Sequence, residues 1–69
     1  KDMKLKEYLK HNKYTQESFV ADLQTKTGVQ IPQGTLSKYV LGTRIPNTTN
    51  MRAIFDATAG AVSPNDFYL

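Results

Sequence analysis

The amino-acid sequence predicts an all-α fold, a compact bundle of four to five short helices in which residues 1–69 form a single domain. Three observations carry that expectation. Apolar residues recur at i, i+3 and i+4 in several separate stretches, the spacing that gathers side chains on one face of a helix. Helix starters and stoppers bracket those stretches: Thr15, Asn47 and Ser63 at the beginnings, Gly28, Gly42 and Gly60 at the ends. No period-two alternation of useful length occurs, so nothing argues for a sheet.

The elements follow in order. Between Met3 and His11, Leu5, Tyr8 and Leu9 make a narrow apolar stripe among lysines, which predicts a short first helix. Asn12, Lys13 and Tyr14 form a turn, and Thr15 caps a second helix with Glu17 in its first turn, where a carboxylate is favoured. That helix is predicted over about residues 16–26, with Phe19, Val20 and Leu23 inward and Gly28 as its stop. Val29 and Ile31 should tuck inward from a connector, and Ile31 is held extended by the proline after it. A third helix is predicted over about 33–41, entered at Pro32 and ended by Gly42. A polar loop, Thr43 to Asn50, leads to a fourth, capped at Asn47, Thr48 or Thr49, in which Met51, Ile54, Phe55 and Thr58 repeat at helical spacing before Gly60 ends it. Ser63 and Pro64 open a short fifth turn, and Phe67, Tyr68 and Leu69 follow as an apolar cluster.

Composition narrows the function classes. Sixty-nine residues hold a small core but no layered catalytic cleft. There is no cysteine, which excludes disulfides, thiolate metal sites and a cysteine nucleophile. The single histidine, His11, lies at the end of the first helix, where a cation suits the helix dipole, and it reads as a surface or capping residue. Ser18, Ser37 and Ser63 have only His11 as a conceivable base and no metal-ligand spacing exists, so no enzyme and no cofactor is expected. No apolar run approaches a membrane span and no signal-peptide pattern is visible, so the expected location is cytoplasmic.

The charge pattern is more specific than the net charge of +3. Between Asp22 and Asp56 no acidic residue occurs, and that window carries Lys26, Lys38, Arg44 and Arg52. Within it, the third helix turns Leu36, Tyr39 and Val40 to one side and Gly34, Ser37, Lys38 and Leu41 to the other. The outward side holds small, neutral or basic side chains and can approach an anionic polymer without repulsion.

The run Thr15-Gln16-Glu17-Ser18-Phe19-Val20-Ala21-Asp22-Leu23, followed by Thr35-Leu36-Ser37-Lys38-Tyr39, Gly42 and Pro46, resembles the helix-turn-helix of the phage Cro and repressor family. The resemblance covers nearly the whole chain and implies a lambda-repressor-like DNA-binding domain. There is one departure. Leu23 and Ile31 lie eight positions apart where the family pattern has two, so about six extra residues separate the two helices. Either the second helix is longer by about a turn with Gly28 restoring the reversal, or the angle between the helices differs.

The resemblance also implies roles. Gln16 would contact a phosphate and support Gln33, the first residue of the recognition helix; Gln33 would read a base, as a glutamine amide pairs bidentately with adenine. Gly34, Thr35, Ser37 and Lys38 would line the same exposed face, and Thr43, Arg44 and Asn47 would make backbone contacts from the following loop. The expected function is sequence-specific binding of double-stranded DNA, as a Cro-like repressor on palindromic operators, by two subunits roughly 34 Å apart. Phe67, Tyr68 and Leu69 are candidate dimer contacts or, equally, part of the monomer's own core. The alternative is a protein-interaction module of the same fold, such as an antitoxin or anti-repressor partner.

Overall fold

The computed structural model describes residues 3–67, and at 65 and 66 the backbone alone. Among them are four α-helices: α1 (Leu5–His11), α2 (Gln16–Thr27), α3 (Gln33–Leu41) and α4 (Thr48–Ala57), followed by a 3-10 turn at Pro64–Phe67. Helix α2 packs against both α3 and α4, and α1 packs against α3. The centre is built from Phe19, Leu23, Ile31, Leu36, Ile54 and Val62, none of them more than 1% exposed.

Local chemistry sets each boundary. Glu7 accepts the Lys4 backbone N–H (3.3 Å) at the start of α1, and Asn12 donates from its side-chain amide to the Tyr8 carbonyl (2.9 Å) at the end. Thr15 and Ser18 cap α2 reciprocally: the Thr15 hydroxyl accepts the Ser18 N–H (3.0 Å) and the Ser18 hydroxyl accepts the Thr15 N–H (2.9 Å). At the far end Gly28 adopts φ +75°, a left-handed conformation that side-chain-bearing residues avoid, and its N–H closes on the Gln24 carbonyl.

The extra residues after Leu23 are thereby located. Four of them, Gln24 to Thr27, prolong α2 by one turn, and Gly28 to Pro32 form the connector. Thr27 ties the two parts together, its hydroxyl donating to the Leu23 carbonyl (2.7 Å) and accepting the Val29 N–H (3.2 Å). Ile31 then enters the core with no exposed surface, immediately before α3 begins.

Helix α4 departs from expectation in its rotation. Its buried face is Ala53, Ile54 and Ala57, with Thr58 buried just past its end; Asn50 and Met51 are half-buried, and Phe55, expected to face inward, is 41% exposed. The cause is the size of Ala53 and Ala57. Two alanines give little apolar signal in a sequence, yet they line the buried side of the helix and turn Phe55 off that face. Thr58 is buried with its hydroxyl donating to the Ile54 carbonyl (2.8 Å) and accepting the Val62 N–H (3.1 Å). The helix ends at Ala57 and not at Gly60, because Ala59 already takes a left-handed φ of +55° and Gly60 continues it at +83°.

Two side-chain constructions brace the turn before α2. Tyr8, Tyr14 and Phe19 pack as an aromatic trio with centroids 5.4–6.2 Å apart. Tyr14 also donates its hydroxyl to Asp22 (2.8 Å), which accepts the Lys26 ammonium as well (3.1 Å). The Tyr14 hydroxyl and then Lys26 hold the Asp22 carboxyl below the usual aspartate range, while the hydrogen bond to Asp22 pushes both the Tyr14 phenol and the Lys26 ammonium up.

Two outcomes follow from this frame. Ile31→Ala should cost about 2–5 kcal/mol and Ile31→Val about 0.5–1.5 kcal/mol in denaturant unfolding, because the site is fully enclosed. A carboxyl with a depressed folded pKa stabilises above its ordinary value of 3.8 and loses that contribution as pH falls through the folded value. Asp22→Asn should therefore lower the thermal midpoint at neutral pH, and the gap from the native chain should close on acidification below pH 3.8.

Candidate nucleic-acid interface

Helix α3 is held from behind and bare in front. Leu36 and Tyr39 are buried, and the Tyr39 hydroxyl accepts a hydrogen bond from the Asn50 side chain (3.0 Å), which fixes α3 to α4. Gln33, Gly34 and Lys38 are exposed, Thr35 and Ser37 half-buried, and Leu41 is 70% exposed at the helix end. The side chains of Gln33 and Lys38 make no hydrogen bond or ion pair among the described residues. Gln16, half-buried in the first turn of α2, is likewise without a side-chain hydrogen bond to Gln33. The two amides are free to meet a third group.

Gly34 is informative because the fold does not require it. It has no positive φ, and a Cβ built there would meet nothing within 4 Å. Glycine inside a helix costs about 0.5–1 kcal/mol relative to alanine, so the conformational penalty has no internal compensation. A smooth spot on the outer face admits close approach by something outside the chain.

The loop after α3 divides its groups between internal and external use. Thr43 closes the helix: its N–H and hydroxyl both donate to the Lys38 carbonyl, at 3.0 and 3.3 Å. The Asn47 side-chain oxygen accepts the Asn50 N–H (2.8 Å) as the cap of α4, leaving its NH₂ to donate outward. Arg44 is exposed and makes no ion pair among the described residues. Of the four cations in the carboxylate-free window, Lys26 pairs with Asp22 (3.1 Å) and Arg52 with Asp56 (3.7 Å). Among the described residues Lys38 and Arg44, the two on and just beyond α3, have no such partner, so there the unpaired charge lies where α3 is exposed.

Lys4 and Lys6 are two of the lysines that flank the apolar stripe of α1. Folding places both in one cleft with Arg44, Tyr39 and Phe67, so the start of α1 adds positive charge beside the end of α3. The lysine-rich opening was visible, but its neighbour 40 residues away was not. Phe67 packs against the core of its own chain; Tyr68 and Leu69 lie outside the described residues. Among the described residues no group of three or more His, Cys, Asp or Glu could hold a metal ion, and no helix is long and apolar enough to cross a membrane.

A capped α2, a glycine-closed reversal, a buried connector residue and a second helix with one face against the bundle and one bare define a helix-turn-helix DNA-binding domain. The helix-turn-helix family model, of Cro and repressor type, matches residues 5–61, and the chain belongs to that family. It is a DNA-binding regulatory domain whose partner is double-stranded DNA. Comparison with curated proteins and with solved structures gave no match.

Gly34→Ala separates fold from interface. The substitution should raise unfolding stability by about 0.4–1 kcal/mol while weakening DNA binding in a gel-shift titration. Unchanged binding would mean that nothing approaches the helix closely there.

Proposed function

We propose that the chain is a sequence-specific regulator of Cro-like repressor type that lays α3 in the major groove of a palindromic operator. The observation that carries this reading is the outer face of α3, free of carboxylate and with its long polar side chains unengaged among the described residues. Gln33, at the first position of the helix, reads a base with its amide. Gly34 lets the backbone come close, the Thr35 methyl meets a thymine methyl, and Ser37 borders the same edge. Lys38 reaches a guanine edge or a phosphate. Gln16, Arg44 and the free NH₂ of Asn47 hold the sugar-phosphate backbone, with Thr43 shaping the loop that presents them. One α3 spans too few bases to specify a site, so two subunits act on half-sites about 34 Å apart.

Leu41 and Ile45, 70% and 46% exposed, suit a protein partner instead. Salt separates the two readings, because displacement of counterions from several phosphates makes DNA affinity fall steeply as salt rises. A flat salt response, with no retarded duplex, would favour the protein partner.

Selection of sites from random duplexes, followed by titration of two variants, tests the mechanism. Gln33→Ala should lose about 1–3 kcal/mol and relax preference at one position of each half-site. Arg44→Ala should weaken all sequences alike and reduce the salt slope by about 1. A Gln33→Ala protein with native affinity and preference would remove α3 from the role of reader.

A further inference from the structure

We infer that the cleft between the start of α1 and the end of α3 seats one phosphate of the DNA backbone, held jointly by Lys6 and Arg44. The inference rests on the proposed DNA reading and adds to it a contact from α1, which lies outside the helix-turn-helix unit. Lys4, Lys6 and Arg44 line the cleft together with Tyr39, Val40 and Phe67, and among the described residues no carboxylate lines it. Lys6 and Arg44 are exposed and form no ion pair among the described residues. Like charges gathered by folding repel one another, and an anion between them relieves that repulsion.

The walls of the cleft are fixed before DNA arrives. Helix α1 packs directly on α3, the Met3 N–H ahead of α1 donates to the Ala61 carbonyl (2.9 Å), and Phe67 packs on the core. The C-terminal pole of α3 has the wrong sign for an anion, but it amounts to about half a charge, and the Lys38 and Tyr39 carbonyls there are engaged by the Gly42 and Thr43 N–H groups. Two cations outweigh what is left. Position then selects a backbone phosphate over a base: α3 is nine residues long, so its ends stand about 12 Å apart, close to the roughly 12 Å width of the major groove. With Gln33 among the base edges, the cleft at the other end has left the groove floor and meets its wall.

Gel-shift titrations on a selected duplex whose phosphates are replaced singly by neutral methylphosphonate test the assignment. At least one replacement should weaken the native chain yet leave Lys6→Gln unaffected, and Arg44→Gln should be blind to that same replacement. Lys6→Gln itself should bind the unmodified duplex about four- to eightfold more weakly at about 0.1–0.2 M salt, with a salt slope lower by about 1. Lys10→Gln removes an exposed lysine of α1 that does not line the cleft, and it should respond to every replacement as the native chain does. Circular dichroism checks that each variant is folded. Native affinity and salt slope in Lys6→Gln, a loss spread evenly over all phosphates, or an equal loss in Lys10→Gln would overturn the inference. Inorganic phosphate in place of chloride at equal ionic strength should affect native and Lys6→Gln binding alike; a loss confined to the native chain would make the cleft a seat for the free anion instead. A bound duplex with no coupling at Lys6 sinks this inference alone, whereas a native chain that retards no duplex removes the DNA reading and the inference with it.

Discussion

The enclosure of Ile31 is the constraint on which the rest depends. It lies between a left-handed glycine and a proline, in a segment that is neither helix, and it has no exposed surface. Burying a side chain of this size is worth about 1.5–3 kcal/mol, a large share of the stability of so small a domain. Through Pro32 that anchor fixes where α3 starts, and Leu36, five residues on, enters the same core. Helix α3 is therefore held at its origin and along its back, with the outer face left to other uses.

Much of this frame was legible because each helix announces itself twice, once in its caps and once in its periodicity. Thr15 and Asn47 cap as their chemistry dictates, and Leu5, Leu9, Phe19, Leu23, Leu36 and Tyr39 are buried where helical spacing puts them. Legibility failed where small residues carry the packing. Ala53 and Ala57 line the inner side of α4, and a pattern weighted by large apolar side chains placed Phe55 there in their stead. The long separation of Leu23 from Ile31 was countable but ambiguous in sequence; its division into one added helical turn and a connector is set by the Gly28 backbone.

The candidate interface was legible in part for a different reason. A missing charge is a linear property, so the carboxylate-free window could be read directly. Which of its cations are neutralised is not linear in the same sense. Lys26 and Arg52 lie one helical turn from an aspartate and are paired, whereas Lys38 and Arg44 form no ion pair among the described residues. The approach of Lys4 and Lys6 to Arg44 joins opposite parts of the chain and exists only in three dimensions.

That Gln33 and Lys38 have no side-chain partner among the described residues has a thermodynamic consequence. Both are long side chains that sample many rotamers while free, and fixing such a chain costs up to about 1.5–2 kcal/mol. A face built this way is disordered in detail until it meets its target. It enters wrong sites at little cost, leaves them readily, and surrenders its entropy only where the hydrogen bonds returned are worth more. The rigid half of the helix determines where the face is held; the loose half lets discrimination be exercised after contact and not before it.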